Sequence, residues 1–305
     1  MISISAPAKV NLYLHVGPAR ADGRHPLDSL VVFADRSAAD RLSFVPGEAG
    51  LRFSVTGPNA SHPLLGASED NLIVRAVRLF EAWSDRNVDG QLQLEKHLPI
   101  AAGIGGGSAD AAATLRLLCA AYDIGEDVPE DLMQASVPLG GDVPACLAGA
   151  PVLMRGDGDR VEPLAETTTP LHAVLANSGL QCPTGPVFKA FDAQSDIPEF
   201  REVSPPGASE LGGFVQALQT DYRNDLQAPA ISLVPEIADL LLELKNTGRP
   251  MFSAMSGSGA TCFAIYEDAL AAQSAAAGLK THHPDWWVVS TVLGRAGFDL
   301  TRQAE

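Results

Sequence analysis

The sequence predicts a mixed class, α+β or α/β, from three observations. Residues 2–16 alternate apolar and polar side chains with period two. Residues 99–122 run a glycine-rich turn into an apolar stretch of helical spacing. Strand-like and helix-like patterns then interleave to the end of the chain.

Each element follows from its own pattern. Ile2, Ile4, Ala6, Ala8, Val10, Leu12, Leu14 and Val16 share one face of a strand, broken or bent near Pro7 because proline cannot donate to a ladder. The opposite face carries Lys9, Asn11, Tyr13 and His15. Further strands are expected at 30–34, 41–45, 51–55 and 91–95. A helix is expected after Glu69-Asp70, with Leu72, Ala76, Leu79 and Phe80 on one face. Residues 194–213, rich in Pro, Ser, Gly and Glu, read as a surface loop. A helix over 231–245, a strand over 261–266, a helix over 268–280 and a last strand over 287–293 complete the chain. The turn Gly156-Asp157-Gly158-Asp159 marks the expected boundary between domains at 1–158 and 159–305.

Bulk composition narrows the function. The 305 residues are 46% hydrophobic, enough for a sizeable core, yet no apolar run approaches the ~20 residues that cross a bilayer. The N-terminus lacks the basic flank and apolar stretch of a signal peptide, so a protein that begins near Met1 and stays in the cytoplasm is expected. A net charge of −16 argues against nucleic acid, whose binding rests on cations that neutralise phosphates. It leaves room for a phosphate ligand, because backbone N–H groups hold anions within acidic proteins. Cys119, Cys146, Cys182 and Cys262 are scattered without Cys-x-x-Cys spacing and read as reduced thiols. No His/Cys cluster has the spacing of a metal site.

The sharpest local signal is Pro99-Ile100-Ala101-Ala102-Gly103-Ile104-Gly105-Gly106-Gly107-Ser108-Ala109, between a strand and a helix marked by Ala111, Ala112, Leu115, Leu118, Cys119 and Tyr122. The first-turn N–H groups of a helix lack intrahelical acceptors, and the macrodipole places about half a positive charge there. Glycines ahead of it admit a ligand close to the backbone. The combination suits a phosphate. The Walker pattern needs a Gly-Lys-Ser/Thr that is absent. The dinucleotide pattern needs glycine where Ser108 stands, and an acid at the end of a following strand; Asp123 follows a helix instead. Ser108 suits a cap or a phosphate or Mg²⁺ ligand, and Asp110 a partner of the helix dipole or a catalytic group. A glycine turn without any ligand is the alternative.

Three separated motifs resemble the GHMP kinases, a family that includes galactokinase, homoserine kinase and mevalonate kinase. Ala6-Pro7-Ala8-Lys9-Val10-Asn11-Leu12 resembles the first motif, residues 99–109 the second, and Ser256-Gly257-Ser258-Gly259-Ala260-Thr261-Cys262-Phe263 the third. Further segments are similar to the family members that act on a cytidine-diphosphate methylerythritol in the non-mevalonate isoprenoid pathway. These segments are residues 20–25, Glu69-Asp70-Asn71-Leu72, Gly140-Gly141-Asp142-Val143-Pro144, Pro183–Lys189 and Asn224-Asp225-Leu226. The resemblance implies an α+β, two-domain kinase, its N-terminal domain like ribosomal protein S5 and its C-terminal domain ferredoxin-like. It implies ATP, Mg²⁺ held mainly through phosphate oxygens and water, and a substrate phosphorylated on its 2-hydroxyl. Homoserine, mevalonate derivatives or a sugar are the alternative substrates within the family.

The resemblance also assigns residues. Asp142 is the expected base for the attacking hydroxyl; as an isolated aspartate in a glycine turn it would read as a helix cap or Asx-turn. Lys9, one of only five lysines, is its expected partner. Opposite charges ~4 Å apart attract by roughly 4 kcal/mol at an effective dielectric of about 20, and the ammonium would offset charge on the moving phosphoryl group. Asn11 is expected to orient the substrate, His25 to hydrogen-bond cytosine, Phe188 to stack on it, and Asn71 to lie near the ATP base or ribose. Where the family carries an aromatic before the histidine, this chain has Arg24, whose guanidinium plane offers another stacking surface.

Overall fold

The N-terminal stretch breaks at Ala8, just after Pro7, into two strands that belong to different sheets, β1 (Ile2–Pro7) and β2 (Lys9–Val16), in the computed structural model. The structure describes all residues except 49, 63–64, 66–69, 165–169, 198, 208–209, 295–297 and 303–305; Glu69 of the segment Glu69-Asp70-Asn71-Leu72 lies outside the described residues. The chain continues through β3 (Leu27–Phe33), β4 (Ala39–Pro46), β5 (Leu51–Thr56), α1 (Leu72–Ser84), β6 (Gly90–Glu95) and α2 (Gly106–Ala121). Next come α3 (Glu130–Ala135), α4 (Val143–Ala148), β7 (Val152–Gly156), β8 (Arg160–Pro163) and β9 (Leu171–Asn177). It closes with α5 (Thr184–Asp192), α6 (Leu211–Asp221), α7 (Gln227–Leu233), α8 (Glu236–Asn246), β10 (Phe252–Met255), β11 (Cys262–Tyr266), α9 (Ala269–His282), β12 (Trp287–Leu293) and β13 (Leu300–Arg302).

Three sheets organise these elements. The first has the order β13-β1-β4-β6-β5, antiparallel except for the parallel pair β5–β6. The second is β2-β3-β7-β8 and the third β10-β11-β9-β12, both antiparallel throughout. Predominantly antiparallel sheets with helices segregated to their faces make the class α+β. The turn 156–159 joins β7 to β8 within one sheet, and β13 returns from the C-terminus to pair with β1.

Packing explains why β2 is buried on both faces although one of them carries Lys9, Asn11 and His15. Val10, Leu12 and Tyr13 join Leu30 and Val32 in a core shared with Ala173, Leu175, Phe263 and Ile265 of the third sheet. The helices α7, α8 and α9 cover the opposite face of that sheet, with Ala230, Leu240, Leu244 and Leu279 in one core with Tyr266 of β11. The first sheet packs Phe44 and Leu94 against α1 and α2. Helix α2 is buried nearly all round, as a central helix must be: Ala109, Ala111, Ala112, Leu115, Leu117 and Leu118 are each inaccessible. Its alanines permit close approach on several sides at once.

Several boundaries differ from expectation. The helix over 231–245 is two helices, α7 and α8, because Pro235 holds Val234 in an extended conformation (φ −133°, ψ 82°). Helix α1 buries Ile73, Ala76, Val77 and Phe80, while Leu72 and Leu79 are only partly buried. Residues 211–213 open α6 despite their two glycines. The strand at 287–293 is followed by β13. Strands β7 to β10 and helix α5 lie in stretches for which periodicity gave no element.

Candidate active site

The first strand of the second sheet is pinned to the glycine loop at its start. Lys9 donates its backbone N–H to the Ile104 carbonyl at 2.9 Å. Its side chain, 4% exposed, then runs along Gly105, where a Cβ would fall 3.1 Å from the Lys9 Cβ. Lys9 Nζ ends 3.1 Å from Asp142 Oδ2. Asp142 occupies the N-cap position of α4 but makes no capping hydrogen bond. Its carboxylate is thus committed to the lysine and the cavity rather than to the helix end. Behind it Cys146 is inaccessible; burial and the Asp142 charge push its thiol far above the usual range, so it is no nucleophile at neutral pH.

The mouth of α2 lies beside this pair. Its N-cap is Gly105 (φ +61°), which supplies no side-chain acceptor, so the first-turn N–H groups are left for a ligand. The third glycine motif braces the loop from outside. Ser256 Oγ donates to the Gly103 carbonyl at 3.0 Å and the Thr261 N–H to the Ala102 carbonyl at 3.0 Å. A Cβ on Gly103 would strike the Ser256 carbonyl oxygen at 2.5 Å, so only glycine closes this contact.

A cavity of about 460 Å³ collects these groups, within the usual size of a small-molecule site. Lys9, Asn11, Asn71, Asp142 and Phe188 line it, with residues 99–103 and 105–108 and with Gly257 and Ser258 of the third motif. Ile104 and Ala109 do not; their side chains belong to the cores beneath. Asn11 donates Nδ2 to Ser29 Oγ at 2.8 Å, and its Oδ1 is buried with no hydrogen-bond partner among the described residues. An unsatisfied buried acceptor costs roughly 1–3 kcal/mol, a cost that a ligand donor would remove. Asn71 Oδ1 accepts from the Ile73 N–H at 2.9 Å and so caps α1 while it lines the cavity.

His25 lies outside the cavity lining but against it. Its ring stands 4.9 Å from that of Phe188 and 5.8 Å from that of Phe191. Nδ1 lies 2.9 Å from the Gly17 carbonyl oxygen and Nε2 3.5 Å from Asp192 Oδ2. Arg24 reaches Asp157 Oδ2 at 3.5 Å with its side chain 70% exposed, and Arg20 meets the same carboxylate at 2.5 Å.

Sequence reasoning missed several residues. Thr184 Oγ1 lies 2.9 Å from Ser258 Oγ at the cavity wall. Lys96 also lines the cavity and sits between Asp40 and Asp110 at 2.6 Å from each. Asp110 therefore faces a buried cation from α2, not only the helix dipole. Only the position of Lys96, directly after an alternating strand and ahead of the glycine loop, signalled it; its two partners come from elsewhere in the chain.

Comparison with known proteins matches this arrangement. Residues 71–150 fit the family model of the GHMP kinases N-terminal domain and residues 207–285 that of the GHMP kinases C-terminal region. The 4-diphosphocytidyl-2-C-methyl-D-erythritol kinase of Hyphomonas neptunium is 46% identical over 293 residues, 95% of this chain and 96% of its own. That of Paracoccus denitrificans is 46% identical over 294 residues, 96% of this chain and 97% of its own. A crystal structure of 4-(cytidine 5'-diphospho)-2C-methyl-D-erythritol kinase superposes with a TM-score of 0.76 at 33% identity, covering 96% of this chain and 99% of that one. Homoserine kinase from Cytophaga hutchinsonii shares the fold, with a TM-score of 0.69 at 19% identity over 98% of this chain and 97% of its own. Matched in both family models and along nearly its whole length, the chain belongs to the GHMP kinase family, among its 4-diphosphocytidyl-2-C-methyl-D-erythritol kinases.

Proposed function

We propose that the protein transfers the γ-phosphoryl group of ATP to the 2-hydroxyl of 4-(cytidine 5'-diphospho)-2-C-methyl-D-erythritol. The observation that carries this reading is the Lys9–Asp142 pair, 3.1 Å apart, beside the uncapped glycine mouth of α2 in one cavity. The named relatives supply the substrate.

Phosphoryl transfer asks for positioning and charge stabilisation more than covalent chemistry. The N–H groups at the mouth of α2 hold the ATP phosphates. Asp142 accepts the proton of the 2-hydroxyl as its oxygen bonds to the γ-phosphorus and the bond to the bridging oxygen of ADP breaks. Lys9 orients Asp142 and offsets negative charge on the moving group. The free Oδ1 of Asn11 accepts a hydrogen bond from the acceptor. Phe188, backed by the His25 ring, forms the wall for the cytosine.

Mg²⁺ fits the oxygen donors present. A Cβ on Gly140 would lie 3.8 Å from Ser108 Oγ, so the Ser108 hydroxyl stands beside the turn that carries Asp142. One hydroxyl and one carboxylate, completed by phosphate oxygens and water, make a hard-oxygen set for this ion. When bound, the ion neutralises the phosphates. All four cysteines are free and buried, which suits a reducing, cytoplasmic setting.

The test is a substrate panel. With ATP and Mg²⁺, the cytidine-diphosphate methylerythritol should be phosphorylated, with homoserine, mevalonate and galactose turned over far more slowly. Preferential phosphorylation of any of the other three would overturn the substrate assignment.

A further inference from the structure

Beneath the glycine loop, at the cavity wall that Lys96 and Asp110 help to line, three charged side chains not used in the transfer described above are buried together. Asp40 of β4 is 1% exposed, and Lys96 and Asp110 are each 2% exposed. Lys96 Nζ donates to Asp40 Oδ2 and to Asp110 Oδ2, both at 2.6 Å. Asp40 Oδ1 accepts two backbone N–H groups, from His97 at 2.6 Å and Leu98 at 2.8 Å. Those residues lead straight into Pro99 and the loop. Asp110 lies in the first turns of α2, where the loop ends. Its Oδ1 is buried with no hydrogen-bond partner among the described residues.

The cluster therefore grips both ends of the phosphate loop. It also touches the loop's exit: a Cβ on Gly106 would fall 3.3 Å from Lys96 Nζ, so the ammonium packs on the bare Cα of that residue. Two carboxylates share one ammonium. Burial raises the Asp110 carboxyl to about 8, with Lys96 opposing and Asp40 reinforcing. Such a cluster is a poor way to gain stability, because desolvation of the charges offsets their attraction. Its geometry is directional, however, with every link ending on the loop's lead-in or on α2.

We propose that Asp40 and Asp110 are positioning residues for ATP: through Lys96 and the His97 and Leu98 N–H groups they hold the glycine loop in its binding shape before nucleotide arrives. A preformed site spends less of its binding energy on ordering the loop. The inference rests on the ATP reading above.

The test uses the full-length chain and the non-hydrolysable analogue AMP-PNP with Mg²⁺, measured by titration calorimetry. Asp40→Asn keeps the shape of the side chain but cannot accept from all three donors. It should weaken AMP-PNP by about tenfold or more and raise the KM for ATP, with the KM for the acceptor unchanged. Asp110→Asn keeps one acceptor for Lys96 and should bind AMP-PNP within about threefold of wild type, whereas Asp110→Ala should lose about tenfold or more. Leu118→Ala, in the α2 core, should lower Tm while leaving nucleotide affinity unchanged. Should Asp40→Asn lower Tm yet bind AMP-PNP like wild type, the cluster is merely structural and the proposal fails. Absence of AMP-PNP binding by the wild type would remove the ATP reading and this inference with it. AMP-PNP binding without turnover of the acceptor would remove only the substrate assignment.

Discussion

A Cβ on Gly257 would lie 2.7 Å from the Gly103 carbonyl oxygen, so the second and third glycine motifs meet backbone to backbone. The contact is more than a close approach, since Gly257 also has φ +56° and its Cβ would come 3.4 Å from Asn11 Oδ1. One position thus couples the phosphate loop to the strand that carries Lys9. Gly257→Ala is expected to strain the turn and displace the loop. Its kcat/KM for ATP should fall at least about tenfold, with a loss of about 1–3 kcal/mol in stability. Steady-state kinetics and a denaturant melt check both; an unchanged kcat/KM would show that the loop tolerates the shift.

Asp142→Asn and Lys9→Met separate chemistry from binding. Each should lower kcat by about a hundredfold or more, the usual contribution of a positioned acid–base group. Asp142→Asn should bind AMP-PNP as wild type does. Turnover at the wild-type rate in the Asn variant would remove Asp142 as the base.

Gly106→Val probes the mouth of α2. A Cβ there meets Lys96 Nζ at 3.3 Å, and the branched side chain adds bulk where phosphates approach. Loss of AMP-PNP binding is expected in calorimetry. Unaltered affinity would reject the phosphate-loop assignment.

Phe188→Ala tests the acceptor end of the cavity. Base–aromatic stacking contributes roughly 1–3 kcal/mol. The KM for the cytidine-diphosphate substrate should therefore rise about tenfold, with the KM for ATP unchanged. A rise in the KM for ATP alone would place the two substrates the other way round.

His15 carries a pH prediction. Burial pushes its imidazole below the usual range, with Arg223 acting in the same direction and Asp225 and Asp28 opposing. Its Nε2 has no hydrogen-bond partner among the described residues, and its ring stacks on Tyr222. Between its lowered native pKa and about 6.5, the unfolded chain binds a proton at this residue that the folded chain does not. Stability is therefore complete above about pH 6.5 and falls as the pH drops below it. His15→Phe removes this titration while keeping a ring. Its Tm should fall less than that of wild type between about pH 7.5 and pH 5.5. Parallel Tm profiles would show that His15 does not titrate differently on folding.

Much of the site was legible in the chain because its chemistry rests on local backbone. Glycines that precede an apolar helix leave its N–H groups open to a ligand, so residues 99–108 stood out as a candidate phosphate loop beside the alternative of a glycine turn without a ligand. Lys9 and Asp142 were legible only through their motifs; either alone reads as a solvated lysine or a capping aspartate. Asn71 shows how both readings meet, since it caps α1 with one oxygen and still lines the cavity.

By itself the sequence determined the mixed class (α+β or α/β), a break near Pro7, the glycine turn that opens into a helix, and the resemblance to the GHMP kinases. These depend on residue type and short spacing. Tertiary structure alone decided which distant groups meet: Asp142 with Lys9, Gly257 with Gly103, and Asp40 and Asp110 around Lys96. The reason is physical. A buried charge states its need for a partner, yet only the packing of sheets on helices selects which carboxylate arrives and which is excluded.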